Sequence, residues 1–244
     1  PNSPSFFKEA KVESSLEKSI YGNILDIELF SKKMLDISPE IVIHMAAQSL
    51  VKDSYSNPKL TYSTNIMGTV NLFEAIRKTP SVKAVLNITS DKCYENNETD
   101  IGYTEKDPMG GFDPYSSSKG CSELISSAYR NSFFHNSGIA LATARAGNVI
   151  GGGDWAKDRI IPDCVKAWSQ DKIVQLRNPN ATRPWQHVLE PLSGYLRLAY
   201  DLDKSKRLHG EPFNFGPPAQ QNQSVSELVE VMSHYWDKVR WEDI

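Results

Sequence analysis

Short apolar runs alternate with segments of helical periodicity along the first part of this chain, and this alternation constrains its fold more than any other feature. Strands are predicted over residues 41–47 and 84–90, and a third begins at Ile139. Helices are predicted over residues 27–35 and 61–78, where apolar side chains recur on one face. Strands that alternate with helices form a parallel sheet covered on both faces, so we expect a doubly wound α/β fold.

Each predicted strand ends in small or polar residues. The three strand ends read MAAQS, TSDKCY and RAGNVIGGG. In open parallel sheets, ligands bind beyond the carboxyl ends of the strands. The three ends are therefore predicted to line one crevice, and their residues are the first candidates for function.

The pattern changes after residue 152. The sequence predicts a short strand, a turn and a second short strand in KIVQLRNPNATRPWQHV, helices in EPLSGYLRLAYDL and SVSELVEVMSHYW, and a strand in PFNFGP. Ser224 and Glu227 have the spacing of a capping box. We expect a larger domain over residues 1–152 and a smaller lobe over most of 153–244, with some segments of the latter returning to the larger domain.

Composition excludes several classes of protein. The 244 residues carry a formal net charge of -3, so no basic excess favours a nucleic-acid partner. No apolar run is long enough to span a membrane, and no signal peptide is visible. Cys93, Cys121 and Cys164 form no C-x-x-C pair and the histidines are scattered, so neither disulfides nor a metal site is indicated. A reducing cytoplasm is the expected location.

Tyr115 and Lys119 lie four residues apart in DPYSSSKGCSEL, where a helix is predicted to begin. Residues at this spacing share one face of a helix. A lysine ammonium close to a phenol stabilises the phenolate by charge, and a phenolate can accept a proton from an alcohol. The pair alone also fits an ordinary solvated helix, so the spacing leaves both interpretations open.

Ser90, Asp91 and Lys92 follow the second predicted strand. They offer a hydroxyl that can hydrogen-bond a substrate oxygen, a carboxyl that can protonate a leaving hydroxyl, and an amine that can accept a proton. Ser and Asp are also common in helix caps and turns. This stretch taken alone is equally consistent with chemistry and with a structural turn.

Taken together, these motifs resemble the extended short-chain dehydrogenase/reductase superfamily, in the order HMAAQ, STNIMGT, Ser90, Tyr115 with Lys119, RAGNVIG and RPWQHV. Within it, TSDKCYEN, DPMGGFDPYSSSKGCSEL, ARAGNVIGGGDWAKDRIIPD and NPNATRPWQHVLEPLSGYL are similar to CDP-glucose 4,6-dehydratases. Asp91 and Lys92 stand where the dTDP-glucose enzymes carry Asp-Glu.

The resemblance implies a Rossmann-like NAD-binding domain over residues 1–152 and a substrate-binding lobe over most of 153–244. The family opens with a strand and a glycine-rich turn that holds the pyrophosphate of the cofactor. This chain begins at Pro1 without such a turn. The chain also stops before the C-terminal segment of the family. We therefore expect an N-terminally incomplete sheet, and either a natural protein that is longer or a truncated paralogue.

The resemblance also implies an internal redox cycle on CDP-glucose. NAD+ takes hydride from C4 of the glucose, water leaves from C5 and C6, and hydride returns to C6. Tyr115 would be the base on the C4 hydroxyl, supported by Lys119, and Ser90 would hydrogen-bond the same oxygen. Asp91 would be the acid at the C6 oxygen. Lys92 would be either the base at C5 or a cation that stabilises the enolate.

Cofactor and substrate contacts follow from the same resemblance. The residues expected to bind NAD are Asn23, Ile24, Ala46, Ala47, Gln48, Asn65, Thr89, Tyr115 and Lys119. The residues expected to bind the nucleotide sugar are Ser90, Asn148, Asp154, Trp155, Arg177 and Arg183. Asn23 stands where the family carries Asp. Arg183 is the best candidate for the diphosphate, because a guanidinium binds phosphate oxygens in a fork.

A homodimer formed through the helices of Asn65 and Tyr115 is implied as well. So is a role in deoxysugar synthesis for bacterial surface polysaccharides, such as the O-antigen of lipopolysaccharide. Two other functions stay open. One is an NAD-dependent sugar-nucleotide epimerase of the same superfamily, which would not need Asp91 and Lys92 for elimination. The other is a truncated, non-catalytic fragment that binds nucleotide.

Overall fold

The computed structural model describes residues 4–97, 101–237 and 239–243, and the chain divides into two compact units. The first, here called the sheet unit, comprises Tyr21–Ala146 and Pro191–Phe215. The second unit comprises Pro1–Ile20, Gly147–Glu190 and Gly216–Ile244. The beginning of the chain is thus grouped with its later part, and the predicted functional division after residue 152 stays a prediction.

A parallel sheet of four strands forms the centre of the sheet unit. Its strands are β1 (Ile41–His44), β2 (Ala84–Ile88), β3 (Ala140–Ala146) and β8 (Pro212–Phe215), numbered along the whole chain. They lie in the order β1-β2-β3-β8, and every neighbouring pair is parallel. β1 ends earlier than the sequence predicted, because its pairing with β2 stops at His44 and Asn87.

Helices cover both faces of this sheet, which confirms the doubly wound α/β fold. α2 (Ile27–Ile37), α5 (Gly68–Arg77) and α6 (Pro114–Tyr129) lie on one face, and α8 (Leu189–Lys204) lies on the other. Two short helices, α3 (Val51–Ser56) and α4 (Pro58–Tyr62), contact α6. Val85 and Leu141 pack into one core with side chains of α2 and α5. Their neighbours along the strands point to the other face, where Leu86 packs with Leu198 and other side chains of α8.

The predicted helix over residues 61–78 is interrupted. Between α4 and α5, a π turn spans Ser63–Met67, and Asn65 lies within it, buried. A π turn inserts one extra residue and redirects side chains, and such turns are frequent at functional sites. At Gly68, which begins α5, a Cβ would lie only 2.9 Å from Ile24 Cγ2, so this position admits little more than a hydrogen.

The second unit is built from short elements. They are α1 (Phe6–Glu9), β4 (Val149–Ile150), α7 (Ile160–Trp168), β5 (Val174–Leu176), β6 (Thr182–Arg183), β7 (Gln186–His187), β9 (Gln223–Ser224), α9 (Val225–Ser233) and β10 (Trp241–Asp243). β5 pairs with β10, β4 with β7 and β6 with β9. Where two short strands were predicted, the chain forms three. The predicted capping box of Ser224 and Glu227 is confirmed.

Among the described residues, no helix is both long enough and apolar enough to cross a membrane. In the same part of the chain, no group of three or more His, Cys, Asp or Glu side chains is arranged to hold a metal ion. The cysteines at 93, 121 and 164 are free thiols.

Candidate functional site

The start of α6 is fixed by its N-cap, Asp113. The Asp113 carboxylate accepts hydrogen bonds from the backbone N–H groups of Tyr115 at 2.9 Å and Ser116 at 3.0 Å. Pro114 occupies the first helical position, where its missing N–H costs nothing. The cap therefore places Tyr115 on the first turn of α6 and Lys119 one turn later on the same face, as the spacing predicted. Both side chains are buried.

Glycines bring α6 into close contact with the segment that follows β2. A Cβ on Gly120 would lie 2.7 Å from the carbonyl oxygen of Gly110 and 3.3 Å from that of Cys93. Gly111 adopts a φ of +126°, which favours glycine, and a Cβ there would lie 2.3 Å from Ser117 N. The backbone after β2 can therefore approach the beginning of α6 more closely than side chains would allow.

Ser90, Asp91 and Lys92 form a turn at the carboxyl end of β2. Ser90 is the N-cap of a 3₁₀ turn over Asp91–Cys93: its Oγ accepts from Lys92 N at 3.2 Å and donates to Asp91 Oδ1 at 3.1 Å. Lys92 Nζ lies 3.4 Å from Asp91 Oδ2, and these two side chains are 43% and 31% exposed. An exposed ion pair of this kind is weak, so both groups remain available to a ligand.

Lys119 joins α6 to this turn. Its Nζ donates to the carbonyl oxygen of Ile88, the last residue of β2, at 3.2 Å. Burial lowers the pKa of the Lys119 ammonium to about 8, and the negative charge of Glu123 acts in the opposite direction. The structure thus brings Ser90, Asp91, Lys92, Tyr115 and Lys119 together on the sheet unit, at the contact between the end of β2 and the start of α6.

His44, at the end of β1, is a buried histidine that the sequence reasoning did not single out. Burial, and secondarily the charge of Lys119, lowers its pKa to about 4. The imidazole is therefore neutral near pH 7. Its position after three apolar strand residues was the available signal.

Asn65 organises the backbone after β1. Its Oδ1 accepts from Gln48 N at 2.8 Å, and its Nδ2 donates to Gln48 O at 3.0 Å. The same amide nitrogen donates to Ser118 Oγ on α6 at 2.8 Å. Asn65 and Gln48, both predicted to be close to the cofactor, are thus linked to each other and to α6.

The other predicted cofactor residues occupy varied positions in the sheet unit. Ala46 is exposed and Ala47 half-buried directly after β1. Asn23 is exposed, and its Oδ1 accepts from Leu25 N at 3.0 Å in a turn before α2. The carbonyl oxygen of Ile24 accepts from Asn71 Nδ2 at 3.0 Å. Thr89 is buried and its hydroxyl donates to Glu123.

These residues fit a dinucleotide cofactor. Ala46 and Ala47 carry only a methyl group, so a ligand can approach the backbone after β1 closely. A lysine ammonium has three N–H donors, and among the described residues the hydrogen-bond acceptor of Lys119 is Ile88 O. Donors thus remain for hydroxyl groups such as those of a ribose.

The predicted substrate residues belong to the second unit, apart from Ser90. Asn148 O accepts from Gln186 N at 3.0 Å, which ties it to β7. Asp154 Oδ1 accepts from Ala156 N at 3.0 Å in an exposed turn. The Trp155 ring is 37% exposed, and Lys166 Nζ lies 5.8 Å from its centroid.

Two arginines of the second unit were predicted to bind phosphate. Arg177 forms an exposed ion pair with Asp158 at 3.2 Å. Arg183 lies exposed on β6, and its NH1 donates to Thr182 O at 2.6 Å. Neither guanidinium is buried, so both keep donors free for an anion.

Sequence reasoning missed a buried ion pair behind the turn after β2. Arg145 on β3 and Glu123 on α6 are 4% and 6% exposed. Arg145 Nε lies 2.9 Å from Glu123 Oε1, and Arg145 NH2 lies 2.8 Å from Glu123 Oε2. The signals were an arginine inside an otherwise small and apolar strand, and a glutamate one helical turn beyond Lys119.

Comparison with known proteins identifies the family. The sequence model of the GDP-mannose 4,6 dehydratase family matches residues 6–212. Over 247 residues the chain is 50% identical to a CDP-glucose 4,6-dehydratase of Salmonella typhimurium, an alignment that covers 99% of this chain and 68% of that protein. The chain belongs to the nucleotide-sugar 4,6-dehydratase family. The resemblance inferred from its motifs is confirmed.

Other members of the superfamily are more distant from this dehydratase chain. It is 23% identical over 238 residues to a CDP-paratose 2-epimerase of Salmonella typhi, covering 88% of this chain and 69% of that one. The fold matches that of a dTDP-glucose 4,6-dehydratase from Bacillus anthracis, solved in complex with NAD, with a TM-score of 0.79 at 23% identity, over 98% of this chain and 72% of the other. The expected Rossmann-like fold is therefore confirmed.

Proposed function

We propose that this chain is an NAD-dependent lyase that converts CDP-glucose to CDP-4-keto-6-deoxyglucose and water. The observation that carries this proposal is its 50% identity to a CDP-glucose 4,6-dehydratase over 99% of the chain. The arrangement of Ser90, Asp91, Lys92, Tyr115 and Lys119 around one strand end supports it, because each chemical step needs one of these groups.

NAD+, when bound, would supply the oxidant for C4 and the reductant for C6 of the sugar. Its proposed contacts are Asn23, Ile24, Ala46, Ala47, Gln48, Asn65, Thr89, Tyr115 and Lys119. Lys119 has the clearest role, because a buried cation with spare donors can hold ribose hydroxyls. Thr89 would contribute through its backbone carbonyl, since its hydroxyl donates a hydrogen bond to Glu123 and its backbone N–H donates one to Ala144 O.

Oxidation at C4 requires removal of a hydroxyl proton. Tyr115 takes this proton as a phenolate, which the Lys119 ammonium one helical turn away favours by charge. Ser90 hydrogen-bonds the same sugar oxygen and keeps it oriented. In the free protein the Ser90 hydroxyl donates to Asp91 at 3.1 Å, so substrate binding would exchange one acceptor for another.

Elimination requires the loss of a proton from C5 and of hydroxide from C6. The ketone at C4 acidifies the C5 proton. For Lys92 to accept it, the proton that Lys92 shares with Asp91 across 3.4 Å first passes to the carboxylate, which leaves a neutral amine beside a carboxylic acid. Asp91 protonates the C6 oxygen, the C6–O bond breaks, and water leaves as the C5–C6 double bond forms. Because Lys92 Nζ lies 3.4 Å from Asp91 Oδ2, the proton taken at C5 lies within reach of the carboxyl that delivers one to the leaving oxygen.

The second unit carries the residues proposed to bind the nucleotide diphosphate and sugar, which are Asn148, Asp154, Trp155, Arg177 and Arg183. Arg183 is the proposed diphosphate ligand, since its guanidinium is exposed and arginine binds phosphate with two parallel hydrogen bonds. The preference for CDP is supported by the identity of the Salmonella typhimurium relative.

A homodimer is also proposed. Exposed apolar side chains lie on helices α3, α4 and α6 and on the π turn between α4 and α5; they are Tyr55, Leu60, Tyr62, Met67 and Leu124. A second copy would cover them. A cytoplasmic location is supported by the free thiols and by the nucleotide-sugar substrate. The product would be a precursor for the deoxysugars of surface polysaccharides such as lipopolysaccharide.

The proposal is tested by incubating the protein with CDP-glucose and NAD+ and measuring the absorbance that a 4-keto sugar develops in alkali. We expect product from CDP-glucose and much less from dTDP-glucose. Asp91→Asn is the matched control, because it removes the acid but keeps the shape of the side chain. An epimerase would keep its activity in Asp91→Asn, whereas a dehydratase would lose it. A protein that binds CDP-glucose but converts neither sugar would contradict the proposal.

A further inference from the structure

The buried Glu123–Arg145 pair is the hub of a hydrogen-bond network that no catalytic step uses directly. Each carboxylate oxygen of Glu123 accepts two hydrogen bonds: one from Arg145, and one from a threonine hydroxyl. Those threonines are Thr89 on the Oε1 side and Thr143 on the Oε2 side. All four residues are buried. A carboxylate so fully occupied has one orientation only.

Thr89 connects this pair to the beginning of the turn after β2. It immediately precedes Ser90, and its backbone N–H donates to Ala144 O on β3 at 2.8 Å. Its hydroxyl donates to Glu123, which lies one turn beyond Lys119 on α6. The residue before the turn is thereby tied to the helix that carries Tyr115 and Lys119.

Tyr94 connects the same pair to the end of the turn. Arg145 NH1 donates to Tyr94 Oη at 2.7 Å, and the guanidinium carbon lies 5.0 Å from the centre of the Tyr94 ring. Tyr94 Oη donates onward to Asn214 Oδ1 on β8 at 2.6 Å. The ring also stacks on Tyr103 with a centroid distance of 5.1 Å. Tyr94 directly follows the 3₁₀ turn over Asp91–Cys93.

Thr89 and Tyr94 therefore lie on either side of residues 90–93, and both are hydrogen-bonded to the same buried ion pair. We propose that the Glu123–Arg145 pair is a positioning element that holds the Ser90–Lys92 turn in register with Tyr115 and Lys119. With the turn held in this place, the residues proposed for elimination and those proposed for oxidation can act on the same sugar. This inference rests on the proposed function.

The main alternative is that the Glu123–Arg145 pair only stabilises the fold. Buried ion pairs contribute little net stability, because desolvation offsets their attraction, and replacing them with apolar residues is often neutral or stabilising. Their better-attested value is geometric, since a bidentate guanidinium–carboxylate pair fixes the relative placement of the elements that carry it. Here those elements are β3 and α6, with the turn after β2 attached on both sides.

Thr89→Val and Thr143→Val test the proposal as a matched pair. Each removes one hydroxyl donor to the same buried carboxylate, but only Thr89 adjoins the Ser90–Lys92 turn. Thr143→Val therefore serves as the control for lost hydrogen bonding and lost stability. We expect similar decreases in melting temperature for both variants. We expect kcat to fall about tenfold or more only in Thr89→Val, with KM nearly unchanged, because misplaced reacting groups lower the rate of the chemical step.

Tyr94→Phe and Tyr103→Phe form a second matched pair. Tyr94→Phe keeps the stacked ring but removes the hydroxyl that links Arg145 to Asn214. Tyr103→Phe keeps the same stacking and removes a hydroxyl that bonds only Asn96 and Asn97 among the described residues. We expect kcat to fall in Tyr94→Phe and to stay within about twofold of wild type in Tyr103→Phe.

Amide hydrogen exchange gives a readout that does not depend on turnover. The backbone amides of residues 91–94 should exchange faster in Thr89→Val and Tyr94→Phe than in wild type, and at the wild-type rate in the two controls. Equal kcat for Thr89→Val and Thr143→Val would overturn the positioning role. Unchanged amide exchange at residues 91–94 in both Thr89→Val and Tyr94→Phe would overturn it as well. A wild-type protein that binds CDP-glucose without making a 4-keto sugar would instead overturn the proposed function, and the exchange data would still decide whether the pair holds the turn.

Discussion

Lys119 Nζ donates a hydrogen bond to the carbonyl oxygen of Ile88 at 3.2 Å, and this contact joins the start of α6 to the last residue of β2. The two residues belong to elements separated in the chain by the long segment between β2 and α6. Their contact places the cation beside the strand end that continues into Ser90, Asp91 and Lys92. A single buried ammonium therefore lies between the proposed oxidation groups and the proposed elimination groups.

Deprotonation of Lys119 should make the activity decrease at high pH. Because burial lowers the pKa of Lys119 to about 8, the ammonium is lost as the pH rises through that value. Its support for the phenolate and for the ribose is then lost as well, so kcat/KM should fall above about pH 8. Lys119→Arg keeps a permanent cation. The activity of Lys119→Arg at neutral pH should be lower than that of wild type, but kcat/KM should no longer fall above about pH 8. If kcat/KM of Lys119→Arg falls in the same pH range, another group is responsible for the decrease.

His44 should make the folded state sensitive to acid. Its pKa is about 4 in the folded protein against an ordinary value of 6.5, so the unfolded chain binds a proton between these values that the folded protein excludes. The stabilising contribution is present above pH 6.5 and decreases as the pH falls toward the folded value. Between about pH 7.5 and about pH 5 this residue should cost about 2 kcal/mol of unfolding free energy.

Urea unfolding at the two pH values measures this contribution. His44→Gln provides the control, because it keeps a polar side chain that does not titrate in this range. The loss of unfolding free energy on acidification should be smaller in His44→Gln by about the amount that His44 contributes. Equal losses in the two proteins would show that His44 is not the responsible group.

Lys92 should act as a base rather than as a fixed cation. Lys92→Arg keeps the positive charge but cannot take up a proton from C5. If Lys92 is the base, kcat should fall about 100-fold or more, in the usual range for loss of a general base. Steady-state formation of the 4-keto sugar measures this. An arginine variant that keeps most of the wild-type rate would support the role of an enolate-stabilising cation.

The exposed apolar residues of α3, α4, α6 and the π turn should form a contact between two copies of the chain. Leu60 on α4 is 49% exposed, and Leu196 on α8 is 66% exposed. A charge at Leu60 should disfavour the dimer, whereas the same change at Leu196 should leave it intact, because α8 lies outside the proposed contact. Sedimentation velocity of wild type, Leu60→Glu and Leu196→Glu distinguishes these cases. A monomeric wild type, or dissociation in Leu196→Glu alone, would contradict the proposed interface.

Local pattern predicted much of the sheet unit. The apolar runs before His44 and Asn87 predicted β1 and β2, because a short apolar run bounded by polar residues is typical of a strand in a parallel sheet. The spacing of Tyr115 and Lys119 predicted a shared helix face, and the Asp113 cap makes that prediction hold. Such features depend on neighbours within a few positions, which a sequence displays directly.

Other features depend on contacts between distant segments and were missed. The π turn over Ser63–Met67 contains Asn65, which hydrogen-bonds to Gln48 and Ser118, and apolar periodicity does not encode such distant contacts. The pairing of Glu123 with Arg145 depends on how α6 lies against β3. The signals for this pair were the charged Arg145 inside a strand of small residues and Glu123 one helical turn beyond Lys119.

The internal redox cycle distinguishes a 4,6-dehydratase from an epimerase, and a deuterium label at C4 follows it through the reaction. CDP-glucose that carries deuterium at C4 would be incubated with the protein and NAD+, and the product analysed by mass spectrometry and NMR. The proposed dehydratase mechanism predicts a 4-keto-6-deoxy sugar whose C6 methyl group has gained the deuterium from C4. A product whose C6 methyl group carries no deuterium, or a sugar that keeps its C6 hydroxyl and has only changed configuration, would contradict the dehydratase mechanism.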